Sequence, residues 1–179
     1  MMLLAGLARA APESYSVDPR HTFPRWAVSH HGFSIHRGQF NATSGNMVVD
    51  WAAKTGSLSV DVETASVGTG DVEFDKVLRG ENFFATDKHP KMTFRGTQMR
   101  FDGDAPVEVS GELTLLGVTR PVTFRVASAK CGVHPVSKKA LCGAEVTGTI
   151  KRSEYGMKFG LPSVGDDIRL TIQFEAFKD

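Results

Sequence analysis

Three histidines within seven residues form the densest group of chemically capable side chains. His30, His31 and His36 lie in the segment HHGFSIH. Imidazole nitrogens bind zinc and related metals, and they titrate near neutral pH. His30 and His36 share a face of one strand only if no turn separates them, and Gly32 favours a turn. Because no Asp or Glu stands in this segment, the sequence predicts solvated or hydrogen-bonded histidines and no metal site.

Patterns typical of catalysis are weak. Ser44-Gly45 lacks the flanking glycine and spacing of a nucleophile elbow. Asp166 and Asp167 follow Gly165, so they are interpreted as turn residues rather than as an acid–base pair. Residues 68–70 read GTG, but the third glycine and the Lys-Ser/Thr of a phosphate loop are missing. We therefore expect a protein without enzymatic activity and without a required cofactor.

Two arginines have sequence contexts that suit anion recognition. Arg37, in HRGQF, and Arg152, in KRSEYG, are candidate cations at the mouth of a pocket. A guanidinium group there could bind the phosphate or carboxylate head of an amphiphile. The alternative for both is a surface salt bridge. Arg37 is retained as a candidate ligand-binding residue.

Cys131 and Cys142 are the two cysteines of the chain. Gly, Pro and a Lys-Lys pair between them indicate a hairpin-like loop. In an oxidising compartment a disulfide would close this loop, with a stabilisation of about 3 kcal/mol on the loop-entropy model. Two free thiols on neighbouring strands remain the alternative, and the absence of CxxC spacing argues against a metal pair.

Charge and length bound the function. The 179 residues suit a single domain, and 21 Lys and Arg against 20 Asp and Glu leave a formal net charge of +1. Nucleic-acid binding needs a basic patch, so we expect no nucleic-acid partner. No stretch approaches the ~20 apolar residues of a membrane span, so no stable membrane anchor is expected. Homodimerisation stays open.

The N-terminal segment suggests export. The apolar run from Met2 leads to Ala8-Arg9-Ala10, which has the small-x-small form of a signal-peptidase site. A signal peptide over residues 1–10 is predicted, with the folded domain over 11–179 and a periplasmic or secreted location. The run is short and lacks a preceding basic residue, which is compatible with a signal peptide truncated at its start.

Period-2 alternation dominates the rest of the chain and predicts β-strands. In residues 57–63 and 168–175, apolar side chains alternate with polar ones, and turn signals separate such runs. One segment differs: Asp71 is placed to cap a short helix that Gly80 ends. Many one-sided strands and one helix predict an all-β fold, either a sandwich or a closed antiparallel barrel.

The segments GFSIHRGQFNATSGNMVVD, VETASVGTGDVEFDKVLRGENFFATDKHPKMTF, GELTLLGVTRPVTFRV, IKRSEYGM and VGDDIRLTIQFEA occur in one order from Tyr15 onward. In that order and spacing the chain resembles the YceI-like family. The resemblance implies a single lipocalin-like antiparallel barrel of about eight strands, with a short helix covering part of it. It also implies a long-chain lipid in an apolar channel: a polyisoprenoid, a quinone or a fatty-acid-like molecule. Val77 and Leu116 depart from the family, whose members often carry a His or polar residue there.

The inward faces of the predicted strands and helix supply the candidate channel walls. With Arg37, these are Val28, Phe33, Ile35, Phe74, Leu78, Phe83, Phe84, Met92, Phe94, Leu113, Leu115, Phe124, Ile172 and Phe174. Two other functions stay open. One is an accessory protein that handles a quinone-like cofactor or fatty-amide ligand in respiration or stress. The other is an interaction module without a ligand.

Overall fold

The computed structural model describes residues 11–179, and the predicted signal peptide over residues 1–10 lies outside them. The described chain forms eleven antiparallel strands and one α-helix. In order these are β1 (Glu13–Val17), β2 (Phe23–His30), β3 (Ser34–Phe40), β4 (Thr43–Asp50), β5 (Thr55–Glu63), β6 (Val67–Gly68), α1 (Val72–Arg79), β7 (Lys91–Asp102), β8 (Ala105–Leu115), β9 (Val118–Val133), β10 (Ala140–Lys151) and β11 (Asp167–Lys178). Single 3-10 turns cover Thr64–Ser66 and Arg152–Tyr155.

The strands close into an eight-stranded barrel because three pairs of short strands each act as one bent strand. β1 pairs with β4 and β11, while its continuation β2 pairs with β3 and β11. β3 and β4 are likewise two halves of one wall, as are β5 and β6. β7 to β11 complete the circle as long neighbours. Closure removes exposed strand edges and confirms the barrel rather than the sandwich.

Helix α1 covers a gap in the wall. β5 pairs with β7. Its continuation β6 pairs with β3 but, among the described strands, not with β7. As the sequence predicted, Asp71 caps α1 by accepting hydrogen bonds from the backbone N–H groups of Glu73 and Phe74. Leu78 is the buried residue of the helix and packs into the barrel core. No helix within residues 11–179 combines the length and apolar character that crossing a membrane requires.

Two segments rich in turn-forming residues take different structures. Residues 44–46, Ser-Gly-Asn, lie inside β4. The β8–β9 corner is only two residues long, Leu116 and Gly117, with φ values of 53° and 74°. Positive φ at both positions is the geometry of the tight hairpin turn that matches strand twist. Leu116 therefore packs beside the core from a turn and does not line the interior cavity.

The barrel end opposite α1 carries a second group of buried side chains. It consists of Tyr15, Val17, Met47, Val49, Cys142, Phe174 and Ala176. Cys142 lies directly opposite Cys131 in the β9–β10 ladder, and the two are joined by a disulfide. The first and last strands meet at this same end, where Tyr15 pairs with Lys178.

Candidate functional site

The barrel encloses a cavity of about 1090 Å³. This volume lies slightly above the ~300–1,000 Å³ range of small-molecule sites. Its lining extends from His31 and Phe159 beside α1 to Cys131 and Cys142 at the opposite end. Most of the expected wall residues line it: Val28, Phe74, Leu78, Phe83, Phe84, Met92, Phe94, Leu113, Leu115, Phe124, Ile172 and Phe174.

Phe33, Ile35 and Arg37 do not line the cavity, which corrects the expected inward face of β3. The β2–β3 connection includes His31 and Gly32, both with positive φ, and places Phe33 in the turn, where it is 94% exposed. This turn sets the alternation of β3 so that His36 and Phe40 point inward. Ile35 and Arg37 consequently face outward, because successive strand residues point to opposite sides.

The same turn brings the three histidines together at one end of the cavity. The rings of His30 and His36 stack with centroids 3.9 Å apart and planes 11° from parallel. His31 meets His30 edge-on at 4.2 Å, and His36 meets Phe74 of α1 edge-on at 5.4 Å. Burial, followed by the proximity of His36 and His31, lowers the pKa of His30. Stacked rings do not aim their nitrogens at a common point, so this arrangement suits neutral imidazoles more than metal ligands.

Trp26 adds a hydrogen-bond donor inside the cavity wall. Its side chain is 8% exposed and packs over Gly38, where an added Cβ would lie 2.4 Å from the indole ring. The indole Nε1 is buried and has no hydrogen-bond partner among the described residues. Because a buried donor without a partner costs about 1–3 kcal/mol, Nε1 is an unsatisfied hydrogen-bond donor within the wall. Trp26 was not among the candidate wall residues, although its alternation with Val28 along β2 indicates an inward position.

Arg152 lines the cavity in a different role from the one expected for a mouth cation. It is 2% exposed, and its guanidinium group donates to backbone carbonyl oxygens at 2.9–3.1 Å. The acceptors belong to Met157, Phe159, Val164 and Gly165. Burial lowers its pKa. With these donors committed to backbone carbonyls, Arg152 holds the loop over residues 157–165 against the barrel mouth.

An aromatic contact joins this loop to the segment after α1. Phe159 is 57% exposed and packs edge-on against Phe83 with ring centroids 5.6 Å apart. Both rings line the cavity. These two rings therefore form part of the cavity rim beside α1.

Asp18, His21 and Glu175 form a separate group outside the cavity. Their potential ligand atoms lie within 4.8 Å of one another, and His21 Nδ1 is 2.7 Å from Asp18 Oδ2. Burial raises the pKa of Asp18, but hydrogen bonds from His21 and the Arg20 N–H lower it overall. The bond to Asp18 in turn raises the pKa of His21. These contacts fix the bend between β1 and β2.

Comparison with known proteins identifies the family to which this architecture belongs. The family model of the YceI-like domain matches residues 15–176. The chain belongs to the YceI-like family. Protein YceI of Shigella flexneri is 33% identical over 176 residues, which cover 98% of this chain and 91% of that protein.

Solved structures of related proteins share the fold. BcnA of Burkholderia cenocepacia superposes with a TM-score of 0.78 at 22% identity, covering 89% of this chain and 98% of BcnA. A polyisoprenoid binding domain from Saccharophagus degradans gives a TM-score of 0.68 at 16% identity, covering 93% of this chain and 99% of that domain. YceI-like membership and the barrel expected from the sequence are thereby confirmed.

Proposed function

We propose that this YceI-like protein binds a long-chain amphiphile, a polyisoprenoid or a related lipid, inside its barrel and carries or sequesters it. The observation that carries the proposal is the 1090 Å³ cavity with its largely apolar lining. Burial of each CH₂-sized group contributes about 0.8 kcal/mol, so a few isoprene units give useful affinity. The polyisoprenoid binding domain of S. degradans, which shares the fold, supports the same ligand class.

The polar groups of the cavity suggest how the ligand lies. Trp26, Val28 and His30 alternate along β2, and His36 stands opposite Val28 on β3. This row supplies a donor at Trp26 and imidazoles at His30 and His36 within a largely apolar wall, whose charged residues are Arg152 and, elsewhere along the lining, Asp102, Asp104 and Lys130. We therefore place an oxygen-bearing head group along the row and the hydrocarbon chain toward the Cys131–Cys142 end.

Binding without catalysis fits these residues better than the alternatives. A quinone-handling accessory role would be favoured by a cavity histidine paired with a carboxylate, and the described structure shows no such partner for His30, His31 or His36. A quinone remains a candidate as ligand, since its carbonyl oxygens accept hydrogen bonds. The open cavity disfavours an interaction module whose barrel is filled by side chains.

A periplasmic or secreted location completes the proposal, with residues 1–10 as the signal peptide and 11–179 as the binding domain. The Cys131–Cys142 disulfide is consistent with an oxidising compartment. Thiol counting on exported material under non-reducing conditions tests this. Two free thiols would contradict it.

The binding proposal is tested by native mass spectrometry of gently extracted protein and by titration of the delipidated protein with long-chain isoprenols, quinones and fatty amides. A co-purified lipid and saturable binding are expected. Failure of the delipidated protein to bind any of these ligands would overturn the proposal.

A pair of variants on β9 then locates the site. Val126→Trp should fill part of the cavity and reduce affinity at least about tenfold, since Val126 lines it. Arg125→Trp places the same side chain on the exposed outer face and should leave affinity unchanged. Equal affinities for both variants, with both folded by circular dichroism, would place the ligand elsewhere.

A further inference from the structure

The outer wall of the barrel carries a second concave site, distinct from the lipid cavity. It is a groove of about 600 Å³ across β11, β2 and β3, bounded by the connector between β6 and α1. Three arginines line it: Arg25, Arg37 and Arg169. We call these residues the arginine groove. It includes the residue that the sequence had suggested as a cation at the cavity mouth.

The strand register explains why the three arginines face one space. Arg169 of β11 and Arg37 of β3 stand on either side of Ala27 in the β2 strand. Arg25 lies two residues along β2 on the same face, so it is a diagonal neighbour of both. Diagonal neighbours are about 7–8 Å apart, within reach of long side chains. Ala27 contributes only a methyl group between them, so no large side chain fills the floor of the groove.

These cations are not neutralised by the surrounding protein. Arg25 Nε donates to the amide oxygen of Gln39 at 3.3 Å, and Arg37 donates to the carbonyl oxygen of Ile35 at 3.1 Å. Among the described residues, none of the three arginines is in an ion pair. Three unpaired, exposed guanidinium groups in one groove are a strong local concentration of charge in a chain of net charge +1.

Acidic groups beyond the connector are already engaged. Asp71 accepts hydrogen bonds from the backbone N–H groups at the start of α1. Asp75 accepts from both the backbone N–H and the hydroxyl of Thr69, at 2.8 and 2.7 Å. They therefore leave the arginine groove open to an external anion.

From this geometry we infer that the arginine groove binds a phosphate-type polyanion. Guanidinium groups present paired N–H donors that match two phosphate oxygens, and several such forks on one face favour a multiply charged group over a single carboxylate. The anion is either a free phosphate compound or the head group of a membrane lipid. The site does not depend on the proposed lipid cavity, whose walls face the other side of the sheet.

Isothermal titration with inorganic diphosphate, at low ionic strength to limit screening, tests the inference. Saturable binding is expected, with a loss of about tenfold for each of Arg25→Gln, Arg37→Gln and Arg169→Gln. Arg125→Gln removes an exposed arginine from β9 and should retain wild-type affinity. The lysine variant, which combines Arg25→Lys, Arg37→Lys and Arg169→Lys, keeps the charge but not the forked donors and should bind with intermediate affinity.

Co-sedimentation with phosphatidylcholine vesicles, with and without phosphatidylglycerol, separates the two sources. Arginine-dependent binding to the anionic vesicles alone identifies a lipid head group, and diphosphate binding alone identifies a free anion. The inference is overturned if wild-type protein binds neither probe. It is equally overturned if Arg125→Gln weakens binding as much as the groove variants do, or if the lysine variant binds like wild type.

Discussion

At the residue scale, the indole of Trp26 links the cavity wall to the chemistry of the proposed ligand. Its position over Gly38 is enforced by contact, because a side chain at position 38 would collide with the ring. The buried Nε1 is thus held inside the wall without a protein acceptor. A ligand oxygen would satisfy it once the ring turns Nε1 toward the cavity, whereas a pure hydrocarbon would not.

Trp26→Phe should therefore weaken binding of an isoprenoid quinone by about five- to tenfold, the value of one net hydrogen bond. Binding of a hydrocarbon isoprenoid such as squalene should be unchanged, because the aromatic surface is largely retained. Fluorescence or calorimetric titration of both ligands against both proteins gives the comparison. Equal losses for the two ligands would show that the substitution disturbs packing and that Nε1 has no specific acceptor.

The stacked histidines predict a pH dependence. The pKa of His30 is lowered from 6.5 in the folded protein, so the folded state binds fewer protons than the unfolded state near that pH. Unfolding therefore takes up protons, and the folded state loses stability as pH falls through 6.5 toward the lower pKa of the folded protein. A ligand that covers the ring disfavours its protonation further, so we expect lipid affinity to fall as pH drops through the pKa of His30, which lies below 6.5 in the ligand-free protein.

Affinity measured between pH 5 and 8 checks this, with His30→Gln expected to flatten the profile. His134→Gln changes a histidine in the distant β9–β10 hairpin and should preserve the wild-type profile. An unchanged slope in His30→Gln would exclude His30 as the titrating group.

At the element scale, the sequence predicted strands well where no irregular turn intervened. Met92, Phe94, Leu113 and Leu115 point into the cavity as their alternation indicated, because β7 and β8 are regular here and joined by a short turn. The predicted inward face of β3 was wrong because it depends on the turn at His31–Gly32. The positive φ values of that turn cannot be derived from an alternation pattern. The loop held by Arg152 was also unpredictable, since its contacts join residues brought together only by the closed barrel.

The close approach of the paired strands β7 and β8 depends on two facing glycines, Gly96 and Gly111, beside a bulge. A Cβ at position 111 would lie 2.1 Å from the carbonyl oxygen of Arg95, a backbone atom that cannot move without shifting the strand. We predict that Gly111→Ala destabilises the protein by about 2 kcal/mol.

Urea unfolding measures this loss. Gly132→Ala is the matched control, because a Cβ at that strand position has no atom within 4 Å. Its stability should stay within about 0.5 kcal/mol of wild type. Similar losses in both variants would point to strand propensity rather than to the close approach at Gly111.

At the scale of the whole molecule, the Cys131–Cys142 disulfide ties together the two longest neighbouring strands at the end away from α1. It joins residues 11 apart in sequence. Replacing both cysteines by Ala, or reducing the wild-type protein, should lower the free energy of unfolding by about 3 kcal/mol. Because Cys131 and Cys142 also line the cavity at the end where the hydrocarbon chain is placed, lipid affinity should fall as well.

Unfolding curves with and without reductant, followed by lipid titration of the reduced protein, check both parts. Unchanged stability after reduction would show that the pairing of β9 with β10 holds this end of the barrel without help from the disulfide. Unchanged lipid affinity of the reduced, folded protein would show that the hydrocarbon chain does not reach this end.

The pairing of β1 with β11 has a consequence for how the molecule is made. These strands are separated by nearly the whole described chain, so barrel closure requires contacts of the highest sequence separation, which slow folding. During synthesis from the N-terminus, the interior has no complete wall until β11 emerges. Every earlier intermediate exposes apolar strand faces to solvent and to other chains. The enclosed cavity therefore forms only once the last strand has paired with the first.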